Sequence, residues 1–213
     1  MAILSGELQR KSVFSKILSG LLALLGASLT IEIAMAQSSK EAAKSVVAPM
    51  TIDYEMEFAV SPDTLWSEVR RLYVEGDRLR NAGFTLKWLE NDPTAYIGGY
   101  RLEKRNHDGV IVDERVVRIT VVDNDKRFAA LCADFIHPDG DKLTTFVSYR
   151  VVRSQGGARL EIVAHVLTPV LFDDESEINS ASVKTKIDQM IAAQKAAFAE
   201  ILYKQRQRIE TAN

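Results

Sequence analysis

The sequence predicts an α+β fold in which a curved antiparallel sheet of six to seven strands wraps around one long C-terminal helix. Strand-like segments of alternating apolar and polar residues, separated by short polar turns, follow one another from about residue 50 to residue 167. A run from Asp173 to Arg208 then places apolar residues at three- and four-residue steps, with acidic residues at its start and basic residues at its end. This pattern is typical of a helix that packs one face against a sheet.

The N-terminal segment has the features of an export signal. Three basic residues within the first sixteen positions precede an apolar run, 17–29, and the triplet 34–36 is Ala-Met-Ala, a small-x-small cleavage pattern. The alternative is a buried helix or a retained anchor, but this run is shorter than the roughly 20 residues of a membrane span. We predict that residues 1–36 are a signal peptide cleaved before Gln37, so that the mature chain is periplasmic or secreted.

Composition limits the classes of function. Removing residues 1–36 takes away three positive and two negative charges, so the formal net charge changes from −2 to −3. This mild acidity without a basic patch predicts no nucleic-acid partner. Cys132 is the only cysteine, which excludes an intrachain disulfide, and the remaining 177 residues (213 minus 36) are enough for one domain with its own core.

The mature chain begins with a predicted flexible linker, 37–49, which is rich in Ser, Ala and Lys and ends in a proline. We predict one domain over 50–213. Its first strand, 50–60, alternates apolar and acidic residues. Ser61, as N-cap, and Pro62, at the first helical position, then predict one short helical segment.

Strands follow this helical segment. The sequence Asn81-Ala82-Gly83 ends it, and the apolar phase of the longest predicted strand changes near Arg115, which predicts a bulge there. The predicted strands after the helix are 84–89, 96–104, 110–122, 128–136, 143–153 and 158–167.

Residues 54–66, YEMEFAVSPDTLW, resemble the opening strand, the Ser/Ala-Pro turn and the first-helix tryptophan of the START/Bet v 1-like (SRPBCC) helix-grip superfamily. The resemblance implies a sheet that grips the C-terminal helix and an interior that holds a lipid, sterol, isoprenoid or polyketide-like molecule. The chain departs from the family pattern in two respects: it has no obvious second helix before the second strand, and it lacks the Trp-Pro signature that often follows that helix.

The sequence contains no nucleophile, nucleotide-binding or H-E-x-x-H motif, and its three histidines are scattered. We therefore predict no catalytic residue, metal site or cofactor. The acidic turns 123–125 and 139–141 offer calcium ligands, but a solvated turn is the simpler interpretation. Cys132 and Trp66 are expected to be core residues.

We expect a ligand site between the sheet and the helix. Gly98 and Gly99 let a ligand approach the backbone or let the strand bend. Arg118 is the arginine that we expect to turn inward toward a carboxylate or phosphate headgroup. The predicted lining consists of apolar, aromatic and one basic side chain: Met56, Phe58, Trp88, Tyr96, Tyr100, Arg118, Tyr149, Met190 and Phe198.

Three functions fit these features. The first is an exported binding protein for a small apolar or amphipathic molecule, with transient membrane contact as a second interaction. The second is a cyclase or dehydratase acting on a polyketide-like substrate with acid–base side chains. The third is an interaction protein with a filled core. Export and the lack of a convergent acid–base set favour the binding protein over the enzyme.

Overall fold

The protein has one seven-stranded antiparallel sheet in the order β1-β7-β6-β5-β4-β3-β2. The computed structural model describes residues 44–89, 98–136 and 142–212. The strands are β1 (Lys44–Phe58), β2 (Thr85–Trp88), β3 (Gly98–Arg105), β4 (Ile111–Asp123), β5 (Phe128–Ile136), β6 (Lys142–Ser154) and β7 (Gly157–Phe172).

Helical segments lie after β1 and after β7. Those after β1 are α1 (Pro62–Val69), a π-helical turn (Arg70–Val74) and α2 (Asp77–Asn81), and a 3-10 turn (Glu175–Glu177) precedes the long helix α3 (Ser180–Thr211). The predicted fold class, a helix-grip fold, is confirmed. The expected single helical segment after β1 is in fact three consecutive pieces. None of the helices in the described ranges is long and apolar enough to cross a membrane.

The first strand begins at Lys44, six residues before the predicted domain boundary. Its backbone pairs with β7 from Lys44 opposite Phe172 to Phe58 opposite Ala158. Residues 44–49 are therefore part of the sheet, and the linker prediction is wrong for them. The buried side chain of Ala48 packs beside β7 there, which explains the ordered pairing. Residues 37–43 lie outside the described part of the chain, so the linker stays a prediction for them.

The C-terminal helix begins at Ser180 and not at Asp173. The Asn179 side chain accepts hydrogen bonds from the backbone N–H groups of Ala181 and Ser182, and Ser182 Oγ accepts from the backbone N–H of Asn179. This capping box starts the helix. The acidic residues 173–177 lie in the preceding bend and 3-10 turn, so their interaction with the helix dipole was wrongly predicted.

The two halves of α3 are buried to different degrees. Phe198, Leu202 and Ile209 are buried in the main core, where the Phe198 ring meets the edge of Tyr54 at a centroid distance of 5.4 Å. Nearer the N-terminus, Met190 is only half-buried, in a separate small cluster. The apolar residues at three- and four-residue steps thus form one face of the helix, and this face is more deeply buried in the C-terminal half.

The register of β4 shifts against β5 between Ile119 and Val121, and against β3 at Val112, which is the extra residue between the pairs Lys104–Asp113 and Arg105–Ile111. The second irregularity lies three residues before Arg115, which agrees with the bulge predicted near that residue. Arg115 lies on the same face as the buried residues Val117 and Ile119. The change of apolar phase therefore reflects both the extra residue at Val112 and a charged residue at an interior position.

Gly99 allows β3 and β4 to approach closely. A Cβ atom at this position would lie 2.1 Å from the carbonyl oxygen of Val117 and 3.1 Å from the Cα of Arg118. The neighbour that requires glycine here is therefore the backbone of β4. This explains Gly99 by the approach of the neighbouring strand, and not by either of the two expected reasons, a ligand at the backbone or a bend of the strand.

Phe198→Ala is expected to lower the free energy of unfolding by about 3–5 kcal/mol, because a fully buried ring leaves a cavity that the core cannot close. Tyr203→Ala, at an exposed position on the same helix, is the matched control and should change stability by less than about 0.5 kcal/mol. Urea denaturation measures both. Equal effects would contradict the packing of α3 on the sheet.

Gly99→Ala should destabilise the protein by about 1–3 kcal/mol, because the added methyl group forces the backbones of β3 and β4 apart. A Cβ at Gly156 would meet nothing within 4 Å, so Gly156→Ala is the control and should be close to neutral. Thermal denaturation of the two variants checks this, and a Gly99→Ala variant as stable as the wild type would refute the close approach.

Candidate functional site

A small cavity lies between the sheet and the segment that follows β1. It has about 10 Å³ of room, enough for roughly one water molecule. Four strands and the helical segment form its walls. The lining residues are Leu72, Tyr73, Arg78, Leu79, Tyr100, Val117, Leu131 and Tyr149.

Aromatic rings dominate one side of this cavity. Tyr73 and Tyr149 stack with ring centroids 4.7 Å apart and an interplanar angle of 26°. The hydroxyl of Tyr100 donates to the backbone carbonyl of Tyr73 at 3.4 Å, and Trp88 meets the Tyr100 ring edge-on at 5.3 Å. These contacts join the sheet to the helical segment, so the cavity wall contains groups with both an apolar face and a polar tip.

The local backbone turns Tyr73 and Arg78 toward the interior. In the π-helical turn, the N–H of Glu75 donates to the carbonyl of Arg70 at 2.9 Å, and this wider turn buries Tyr73. Gly76 follows with a left-handed φ of 77°, which favours glycine. A Cβ there would also lie 2.7 Å from Leu86 Cδ1. Helix α2 starts directly afterward, which brings Arg78 to the cavity.

Arg78 is a buried cation that lacks hydrogen-bond acceptors. Its residue exposure is 8%, and within the described residues the Nε, Nη1 and Nη2 atoms have no well-formed hydrogen bond. The Tyr73 phenol is nevertheless close enough to oppose, in part, the lowering of the pKa of Arg78 by burial. The guanidinium carbon lies 4.8 Å from the centroid of the Tyr73 ring, a contact that stabilises a desolvated cation by about 2 kcal/mol. Burying an uncompensated charge costs several kcal/mol, so this contact does not offset the whole cost.

Arg115 is a second buried cation on this side of the core. It is 1% exposed and lies between the rings of Phe84 and Phe135, at 4.5 Å and 5.0 Å from their centroids. Its Nε donates to Asp113 Oδ1 at 2.9 Å and its Nη2 donates to Asp113 Oδ2, whereas Nη1 has no partner. Burial, and to a smaller extent the charge of Arg115, lower the pKa of Arg78.

The three tyrosines of the lining keep their hydroxyl protons. Burial raises the pKa values of Tyr73, Tyr100 and Tyr149, so the phenols stay protonated at neutral pH. Tyr73 donates to Gln205 Oε1 on α3 at 2.6 Å. The C-terminal helix therefore contacts this site through a residue that lines the cavity, although none of the lining residues belongs to α3.

The residues that were predicted to line the ligand site lie in several parts of the structure. Tyr100 and Tyr149 line the cavity, and Trp88 contacts Tyr100. Of the others, Phe58 and Phe198 are in the main core, Met56 packs against it, Met190 lies in a separate cluster, and Tyr96 is outside the described residues. A role in ligand binding stays a prediction for each of these residues.

Arg118 does not turn inward. Its side chain is 57% exposed, and its Nη1 donates to Asp134 Oδ2 at 2.6 Å on the outer face of the sheet. The inward arginine of β4 is Arg115, and counting alternate residues back from Val117 identifies it. Arg78 and Tyr73 were missed, because the segment that holds them has no regular apolar period.

The other candidate groups have structural roles. Asn124 Oδ1 accepts from Trp66 Nε1 and from Arg70 Nη1, each at 3.1 Å, so the turn 123–125 caps the buried tryptophan. Trp66 is in the core as predicted, whereas Cys132 is half-buried. Within the described ranges no three His, Cys, Asp or Glu residues form a metal site. The turn 139–141 lies outside those ranges.

No family model matches the sequence, and no curated protein matches it. Solved structures do resemble the fold. A Staphylococcus aureus protein of unknown function matches with a TM-score of 0.49 and 14% identity, covering 78% of this chain and 96% of that one. A START superfamily protein from Mycobacterium smegmatis matches with a TM-score of 0.45 and 15% identity (76% and 99% covered). A Streptomyces aromatase/cyclase matches with a TM-score of 0.44 and 13% identity (76% and 95% covered). The similarity is one of fold alone.

Proposed function

We propose that this protein binds a small hydrophobic or amphipathic molecule between its sheet and the helical segment that follows β1. The observation on which the proposal rests is the cavity between four strands and the segment 72–79. Its walls are mostly aromatic and aliphatic, with a few polar groups, which is the usual composition of a small-molecule site.

A ligand requires the walls of this cavity to move apart, because the present space suits about one water molecule. Leu72 is only half-buried and belongs to the short helical segment, and not to the sheet. The side of the cavity that opens is therefore expected to be the helical segment, since the strands opposite are fixed by continuous backbone pairing.

The chemistry of the lining favours binding over a cyclase or dehydratase reaction. An acid–base reaction near neutral pH needs a group that readily accepts a proton. The raised pKa values of Tyr73, Tyr100 and Tyr149 make them donors, and Arg78 is a poor base. The filled core around Phe198 supports the third alternative, an interaction protein, for the C-terminal half of α3 but not for the region beside Arg78.

Wild-type protein is expected to bind the neutral apolar probe N-phenyl-1-naphthylamine with an increase in its fluorescence. Leu72→Trp should weaken this binding at least about tenfold, because the larger side chain occupies the cavity. Leu167→Trp, at an exposed position on the sheet, is the matched control and should bind as the wild type does. Absence of probe binding, or equal binding by the two folded variants, would refute the proposed site.

We also propose that the chain is exported, on the basis of the N-terminal sequence. Cleavage before Gln37 would leave seven residues ahead of Lys44, where β1 begins, so removal of the signal would leave the pairing of β1 with β7 intact.

Expression of the full chain in a Gram-negative host should yield periplasmic protein that starts at Gln37, which N-terminal sequencing detects. Replacement of both Ala34 and Ala36 by bulky residues should block the cleavage, because signal peptidase requires small residues there. Soluble material that begins at Met1 would contradict export.

A further inference from the structure

Arg78 has an unmet requirement for hydrogen-bond acceptors. It lines the cavity, it is 8% exposed, and its three nitrogen atoms have no well-formed hydrogen bond to any residue that the structure describes. Buried charges in proteins are normally paired, because an isolated charge in an apolar interior is strongly unfavourable. An anion that enters the cavity would supply the acceptors that the described residues do not.

The shape of the guanidinium group restricts this anion. Arginine presents a planar fork of N–H donors that matches two oxygens of a carboxylate or of a phosphate. The ring of Tyr73 lies beside the group, with its centroid 4.8 Å from the guanidinium carbon. A cation–π contact supplies no acceptor oxygen, so the N–H donors remain for the oxygens of a ligand.

The surroundings add positive charge and apolar contacts. Arg115 is close enough to lower the pKa of Arg78, and its Nη1 is also without a partner. No carboxylate is among the described residues that line the cavity, so none of them opposes the entry of an anion. Leu72, Leu79 and Leu131 line the same space and suit a hydrocarbon chain.

We propose that the ligand is an anionic amphiphile, whose carboxylate or phosphate headgroup Arg78 binds while its apolar chain contacts the leucines of the cavity. This inference rests on the proposed function, and it adds the charge of the ligand and the residue that recognises it. The carboxylate and the phosphate monoester share the same recognition chemistry and are distinguished by experiment.

The test compares three compounds of equal chain length on the wild-type protein: decanoate, decyl phosphate and decanol. Each is titrated below its micelle concentration to displace N-phenyl-1-naphthylamine, a probe without charge. At least one anion is expected to bind about 10- to 100-fold more tightly than decanol, as for hydrogen bonds to a charged group. Preference for decanoate indicates a fatty-acid-like ligand, and preference for decyl phosphate a phosphorylated lipid.

Arg78→Gln should remove this preference, so that the anions bind within about threefold of decanol. Arg80→Gln is the matched control, since Arg80 is on the same helix but is half-exposed and paired with Asp77. It should keep the wild-type preference. If the Arg78 variant fails to fold, the comparison of the two anions with decanol on the wild-type protein still shows whether the site prefers an anion.

The outcomes separate the two proposals. Equal displacement by anions and alcohol on the wild type, or an unchanged preference in folded Arg78→Gln, overturns the role of Arg78 but leaves a binding protein. A wild-type protein that binds neither the probe nor any of the three compounds overturns the proposed function itself.

Discussion

Tyr73 is the residue on which the arrangement of this protein's interior depends. Its ring stacks on Tyr149 of β6, its backbone carbonyl accepts from Tyr100 of β3, and its hydroxyl donates to Gln205 of α3. One residue thus connects β6, β3 and the C-terminal helix. Because the three contacts use different parts of the residue, together they define the closed position of the helical segment over the sheet.

The backbone that follows Tyr73 determines where the positive charge of Arg78 lies. The wide π-helical turn and the left-handed Gly76 redirect the chain within a few residues, and α2 places Arg78 beside the ring of Tyr73. Its neighbour Asp77 remains at the surface, where Arg71 pairs with it at 3.1 Å. Packing and surface ion pairs around Arg78 therefore offset the unfavourable burial of its charge. Locally unfavourable groups that the surrounding structure holds in place are common at functional sites.

Sequence patterns predicted the parts of the fold that have a clear period. Alternation along residues 50–58 and the apolar steps of α3 identified the first strand and the long helix, since both patterns reflect burial on one face. The start of α3 was misplaced because acidic residues 173–177 imitate a helix N-terminus. The Asn179 and Ser182 pair was the true signal, and it is short and local.

The candidate site was less predictable for a physical reason. Helix α2 has five residues, too few for a period to show, so nothing in the sequence indicated that Arg78 points inward. Arg115 was not predicted to point inward, because charged residues in strands are usually exposed and the change of apolar phase nearby was explained by a bulge alone. Tyr100 and Tyr149 were identified, since aromatic residues with polar tips are common in binding sites.

The choice between a filled core and a binding site depends on the energetics of position 78. In a core that is only filled, an apolar side chain of similar volume is at least as stable as a buried cation without acceptors, because it loses no hydration. The cavity beside Arg78 and the absence of partners for its nitrogens describe a site whose electrostatic balance is incomplete within the described chain. An external anion restores this balance, whereas tighter apolar packing alone does not. The chemistry at Arg78 therefore favours a ligand over a filled interior in this region of the protein.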